Sequence, residues 1–385
     1  MVGDVHGSWD YFLQLLSKLS YDPTYDHLIH VGDIIAKGTH KGSLAVLDYM
    51  TQHNVTGVRG NHDQKVIEWR AWRDWIRGIE GGTQWLQQLD QDAEARLSMQ
   101  RKVSAKWFGK KLVSVAVQDA EWRRRIPKGW KLFSDHYDLA RKMTAPQYDY
   151  LLSLPLVLHI PSAHTFIVHA GLLPYDPTRS QTDHRQPLSH LPIIANKGHM
   201  GQDTTAELRR MQELAVLQEI PQNTDPWAKI NIRSLDGNKV TKKGKKGMPW
   251  SDLWNGAMEL CEGDALDLDL TSRKGDSMPC WPSTVVYGHA ASRGLDIKRW
   301  SIGTDSGWCT AVAYPRWFST LTRILDLTPR ATLSRTYRME IARGGASLAS
   351  AAPRRRRSAQ CRLNLTASHT QRIPILSSQL SSQLS

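Results

Sequence analysis

The sequence predicts an α/β fold. Short apolar runs alternate with stretches of helical spacing, and several of those runs end at a glycine beside a metal-capable side chain. Tyr11 to Leu19 places apolar residues at Tyr11, Phe12, Leu15, Leu16 and Leu19, a helical stripe. Leu28 to Val31 reads as a buried strand that delivers Asp33 to its C-terminal end. Leu44 to Met50 returns to helical spacing, and Val55 to Val58 is the next strand, ending at Gly60-Asn61-His62. Gln64 to Ile79 is helical, with Trp69, Trp72 and Trp75 forming a packed face rather than a stacking platform. From Ser98 to Lys142, Lys, Arg and Trp are frequent, which predicts a mainly helical cap inserted at about 64–142. Thr165 to Val168 resumes the core as a strand and hands over His169. Residues 174–280 carry little strand signal. Thr284 to Tyr287 is the last clear core strand, before His289, and Asp296 to Ser301 with the Gly303–Gly307 turn closes the sheet.

Length and charge bound the rest. The 385 residues can bury a full core. Of the net charge of +13, residues 316–385 carry +10, through twelve Arg against Asp326 and Glu340. The remainder is mildly basic, so no specific nucleic-acid partner is expected for the core. Residues 329–385, with Arg354 to Arg357 and a repeated Ser-Ser-Gln-Leu ending, are low in complexity and predict a disordered tail. Such a tail could bind anions without sequence specificity. It is either genuine or the product of an altered reading frame. Cys261, Cys280, Cys309 and Cys361 lack C-x-x-C pairing, which argues against a zinc finger and leaves one Cys261–Cys280 bridge open. No apolar stretch approaches the ~20 residues of a membrane-spanning helix. Only Met1 and Val2 precede Gly3-Asp4, so the strand expected there is missing or lies upstream, with any targeting segment.

The chemistry is concentrated in five blocks: Gly3-Asp4-Val5-His6-Gly7, Gly32-Asp33 to Lys37-Gly38, Gly60-Asn61-His62-Asp63, His169-Ala170-Gly171 and Gly288-His289-Ala290. Asp4, His6, Asp33, Asn61, His169 and His289 offer oxygen and imidazole donors, which suit Zn, Mn, Mg, Fe or Co rather than a thiolate site. A ligand set of this size can hold two divalent ions, and Asp33 can bridge them with its two oxygens. Such a pair shares a bridging hydroxide and clamps phosphoryl oxygens, the chemistry of a two-metal phosphoesterase. His62 is the candidate general acid, with Asp63 as the carboxylate that orients it. His30, His40, His53, His164 and His199 lie outside every block and are assigned no role.

The order and residues of these blocks resemble the calcineurin-like metallophosphoesterase superfamily over about Gly3 to Gly307. Within it they are most similar to the diadenosine-tetraphosphatase-like branch and its fungal relatives. The resemblance implies a four-layer αββα sandwich of two mixed sheets flanked by helices, within a catalytic domain of residues 1–328. It implies Asp4, His6 and Asp33 on one metal, and Asp33, Asn61, His169 and His289 on the other, with His62 and Asp63 as acid and partner. Phosphoprotein phosphatases carry Asp-Arg-Gly where this chain has Ala36-Lys37-Gly38, so Lys37 offers phosphate a point charge rather than a bidentate fork. That block, His-Ala-Gly and the Pro249–Asn255 segment resemble fungal endopolyphosphatases. Lys37 and Arg293 are the expected phosphate contacts, with Lys242, Lys243, Lys245, Lys246 and Arg123 to Arg125 as cationic approach surface.

The expected function is cleavage of phosphoanhydrides, most of all inside polyphosphate. A dinucleoside-polyphosphate hydrolase, with bases stacked on Trp122 or Trp130, is the first alternative. A serine/threonine protein phosphatase and an inactive, truncated anion-binding protein follow. Asn54-Val55-Thr56 and Asn364-Leu365-Thr366 match the glycosylation pattern, the first discounted because it leads into a strand. A vacuolar or lumenal location is implied by the resemblance alone, and a cytoplasmic one stands otherwise.

Overall fold

The computed structural model describes residues 1–102, 120–193, 203–263 and 277–305, with a short strand pair, Gly344–Gly345 and Arg362–Leu363. Apart from that pair, the expected tail lies outside the described residues, as do the end of the 1–328 region and His199.

Among the described residues, three sheets are present besides that strand pair. In the first, β1 (Ile29–His30) pairs in parallel with β2 (Thr56–Gly57). Val2 extends it: its amide donates to the Ile29 carbonyl at 2.8 Å, and its carbonyl accepts from the Val31 amide at 3.1 Å. Val2 alone therefore stands where a strand leading to Asp4 was expected, and it bridges His30 in parallel. The second sheet contains β3 (Val157–Ile160), β4 (Thr165–Val168), β8 (Thr284–Tyr287), β9 (Asp296–Ile297) and β10 (Ser301–Gly303), in the order β3-β4-β8-β10-β9. Its three central strands are parallel and its two edges antiparallel. The third sheet is a correction to the expectation of little strand between 174 and 280. There β5 (Ser234–Asp236) pairs antiparallel with β6 (Lys239–Thr241) and β7 (Met248–Pro249). The β5–β6 turn is Gly237-Asn238, with Gly237 at φ +57°.

The layering follows from side-chain alternation along β4 and β8. Phe166, Val168, Val285 and Tyr287 face one core, which Trp250, Trp254 and Met258 of the Trp250–Glu259 helix and Val216 of the Asp203–Gln218 helix complete. Ile167 and Val286 point the other way and meet Val31, Val58 and Ile302 in a second core between the two sheets. A third core lies beneath the helices Trp9–Lys18, His40–Gln52 and Asn61–Arg77, with Ile34, Ile35 and Val55. Helix, sheet, sheet and helix are thus separated by three apolar seams, the expected α/β sandwich.

Within the stretch expected as a cap, helices run over Gly82–Lys102, Ala120–Arg124 and Asp135–Lys142. Trp69 and Trp72 are buried, but Trp75 on the same helix is 53% exposed. Trp122 already stacks on Trp85 with centroids 5.1 Å apart and carries the Arg125 guanidinium on its ring. Trp130 packs against Trp69 at 4.5 Å. Neither is a free platform for a base. Cys261 and Cys280 are joined as a disulfide.

Candidate metal centre and acid

Five of the residues from the expected blocks sit in left-handed backbone: His6, Asp33, Ala36, Lys37 and His289, with φ between +49° and +69°. Non-glycine residues adopt this region at a cost of roughly 1–2 kcal/mol each, so the surrounding structure must hold them there. Three are expected ligands. The sharp reversals bring side chains from the ends of both sheets to one point.

At that point two groups of donors form. Asp4, His6 and Asp33 make one, Asp33, His169 and His289 the other, each with its ligand atoms within 4.8 Å of one another. Asp33 belongs to both. Its Oδ2 lies 3.4 Å from His169 Nε2, 3.9 Å from His6 Nε2 and 4.0 Å from His62 Nε2. Asn61 joins the second group, its Oδ1 being 3.1 Å from His169 Nε2. His169 donates from Nδ1 to the Val31 carbonyl at 2.9 Å, which leaves Nε2 aimed inward, the usual support for a liganding imidazole.

The electrostatics fit divalent cations. Burial, and then the negative charge of Asp305, push the Asp4 carboxyl well above its ordinary range. Burial also opposes ionisation of Asp33, but the charges and hydrogen bond of His169, with His62 and His6, hold it well below that range. Burial works against the charged form of His169 too, yet Asp33 and Asp4 raise it to about 10. His289 Nε2 is buried with no hydrogen-bond partner. Crowded carboxylates, an imidazolium pressed between them and an orphaned imidazole nitrogen are all relieved by bound cations. The six expected residues therefore suit a dinuclear site.

Glycine makes the convergence sterically feasible at two positions. A Cβ on Gly288 would lie 2.1 Å from Asp4 Oδ1, and one on Gly60 would lie 2.2 Å from Asp33 Oδ1. The amide after Gly288, that of His289, donates to both Asp4 oxygens at 3.2 Å.

The expected acid and its partner are placed differently from one another. His62 faces the site through Nε2, but its Nδ1 meets His136 Nε2 at 2.8 Å rather than Asp63. Asp63 is buried behind Asp33. Its Oδ2 accepts the amides of Asp33 at 2.8 Å and Gly60 at 2.9 Å. Expecting Asp63 to orient His62 is therefore corrected: a side chain at the third position of the Asn61–Arg77 helix turns back onto its own N-terminus, away from the second residue. Burial lowers His62 to about 3, Lys37, His136 and His6 add to this, and Asp33 opposes it.

Lys37 places Nζ 3.0 Å from His6 Nε2, at the rim of the first group. Arg293 is turned toward β5, where its Nη2 donates to the Arg233 carbonyl at 2.6 Å, while Nη1 is buried without a partner. Arg233 in turn donates to the His289 carbonyl at 2.9 Å and lowers the His289 pKa, after burial and His169. Arg233, Asp305 and His136 belong to this site and escaped the sequence reading. None lies in a block. Asp305 alone had a signal, as the acid of the Gly303–Gly307 turn that ends β10. Of the other histidines, His30 is structural: Nε2 donates to Tyr150 Oη, and Nδ1 accepts the Gly32 amide.

The chain is similar to known proteins over part of its length. A family model described as calcineurin-like phosphoesterase matches residues 1–217, more than half of the chain. Over 69 residues the chain is 48% identical to the symmetrical Bis(5'-nucleosyl)-tetraphosphatase of Haemophilus ducreyi, covering 17% of this chain and 25% of that protein. Over 96 residues it is 32% identical to serine/threonine-protein phosphatase 1 of Salmonella typhimurium, covering 25% and 44%. Over 90 residues it is 36% identical to serine/threonine-protein phosphatase 2 of Escherichia coli, covering 23% and 40%. Each match spans less than half of the relative's length. With its paired donor groups meeting at Asp33 and its first 217 residues inside the family model, the chain belongs to the calcineurin-like phosphoesterase family.

Proposed function

We propose that this protein is a metal-dependent hydrolase of phosphoanhydrides and that its substrate is inorganic polyphosphate, cut internally. The observation that carries the reading is Asp33, shared by the two donor groups. Two divalent ions held there would neutralise phosphoryl charge and activate water for in-line attack. The protein's own residues do the rest. Lys37 Nζ, at the rim, holds a non-bridging phosphate oxygen. As the bond to the leaving oxygen breaks, its electron pair goes to that oxygen, which takes the Nε2 proton of His62. The incoming polyanion supplies the negative charge that favours the protonated form of His62 against the burial that opposes it.

Polyphosphate is favoured by the point-charge Lys37 and by exposed lysines at Lys242, Lys243 and Lys245 on the β6–β7 loop. Of the other expected cations, Lys246 pairs with Asp236, and Arg125 is engaged with Glu121 and Trp122. The disulfide supports the lumenal, oxidising compartment expected from the family resemblance. A dinucleoside tetraphosphate is the second substrate to test, because the Haemophilus ducreyi relative bears that activity in its name. Packing of Trp122 and Trp130 within the protein disfavours base stacking there.

The test is hydrolysis of long-chain polyphosphate on a gel, with Zn, Mn, Mg or Co restored after chelation and diadenosine tetraphosphate run in parallel. Metal-dependent shortening to mid-sized chains, abolished by His62→Ala, is the expected result. Cleavage of the dinucleotide alone moves the substrate to the second reading, and inactivity with every metal overturns both.

A further inference from the structure

His62 reaches the site from the start of the Asn61–Arg77 helix, and the protein settles the direction of its ring with a residue from elsewhere in the chain. His136 Nε2 lies 2.8 Å from His62 Nδ1, with the ring planes 18° apart and the centroids 5.0 Å apart. One nitrogen of the pair must donate. When His62 carries protons on both nitrogens, Nδ1–H is engaged by His136, and Nε2–H is the one left facing Asp33 and the site.

The preceding residue grips the opposite wall. Asp135 Oδ2 accepts the amide of Lys37 at 2.5 Å, and Oδ1 lies 2.8 Å from His40 Nε2. Lys37 and Ala36 are consecutive left-handed residues, so this hydrogen bond helps to hold a strained turn. The turn bearing both residues is itself fixed. Ser134 caps the helix Asp135–Lys142 through Oγ, and fully buried Tyr137 receives Arg73 Nη1 on its hydroxyl at 2.9 Å.

We propose that the Asp135-His136 step is a clamp in which His136 is the positioning residue for the His62 acid and Asp135 registers it against the Lys37 turn. The proposal rests on the hydrolase reading, through the role of His62. It adds a residue distant in sequence, on a different helix, that sets how well a leaving group is protonated.

A positioning role and a merely structural one separate by leaving group. Phenyl phosphate leaves poorly and needs the acid, whereas p-nitrophenyl phosphate needs it little. His136→Ala is expected to lower kcat for phenyl phosphate by about 10- to 100-fold, part of what a general acid supplies. The loss for p-nitrophenyl phosphate should be under about threefold, with KM and metal content unchanged. His136→Gln, whose amide can reach Nδ1, should restore most of the loss. In a His62→Ala background, His136→Ala should cost nothing more, since the two act as one unit. Equal losses on both substrates, or additive losses with His62→Ala, overturn the proposal. A wild type inactive on polyphosphate, diadenosine tetraphosphate and both aryl phosphates overturns the hydrolase reading instead. The pairing is then judged by 15N-histidine NMR, where a through-bond coupling between His62 Nδ1 and His136 Nε2 supports it and its absence in the folded protein overturns it.

Discussion

The Asp63 carboxylate accepts the backbone amide of Asp33 at 2.8 Å, so the start of the Asn61–Arg77 helix locks the backbone of the residue shared by both donor groups. Asp63 is fully buried and also accepts the Gly60 amide. Asp63→Ala should cost about 2–4 kcal/mol of stability, because two buried amides lose their acceptor. Asp63→Asn keeps one carbonyl oxygen and should cost less. Urea denaturation of the three proteins, with metal content measured in parallel, checks both the order and the accompanying loss of metal.

Gly288→Ala tests the close approach to Asp4. The added methyl would meet Asp4 Oδ1 and the Val31 side chain, so the carboxylate must turn away from its group. The protein should remain folded but bind metal about 10- to 100-fold more weakly, as when support around a ligand is removed. Isothermal titration with Zn or Mn on chelated protein reads this directly.

Cys261–Cys280 ties the end of the Trp250–Glu259 helix to the approach to β8, with a sequence separation of 19. Serine at both positions should lower stability by about 3 kcal/mol. Thermal melts of wild type with and without reductant should differ, while the double variant should melt at one temperature in both.

Acid stability should depend on Glu213. Burial would push this carboxyl up, but hydrogen bonds from His159 Nε2 at 2.7 Å and His164 at 2.9 Å, with the charges of both rings, bring it down to about 2. A carboxylate depressed on folding stabilises the protein fully above its ordinary value of 4.5, and that stability is lost as pH falls from there through about 2. The contribution is at most about 3 kcal/mol. Wild type and Glu213→Gln should therefore converge in denaturant midpoint as pH is lowered from 6 to 3. Parallel curves across that range would remove Glu213 as the cause.

The candidate donor positions were legible because most join a donor to glycine at the end of an apolar run, a pattern local in sequence. His136 was not, since nothing near it marks it, and contacts distant in sequence, among them Tyr137 with Arg73 and Asp135 with Lys37, deliver it to His62. The adjacency of His62 and Asp63 suggests a pair that the fold does not make, because neighbours in sequence on a helix start point apart, and Asp63 turns back onto the Asp33 and Gly60 amides. The β5–β6 hairpin did leave a trace, Asp236-Gly237-Asn238 between Leu235 and Val240, a turn signal between apolar residues. It was outweighed by the surrounding Gly, Asn and Lys. The Val2 pairing could not be read at all, because one residue has no periodicity.

The seam of Val31 and Val58 against Ile167, Val286 and Ile302 has a mechanical consequence. Asp33 and Asn61 follow the strands on one side of it, and His169 and His289 follow those on the other. The candidate ligand shell is therefore split across a packed joint, and the gauge of the opening is set by apolar side chains that supply no donor atom. Trimming Ile167 or Val286 would act as a change of shim thickness, altering metal selectivity with every ligand intact.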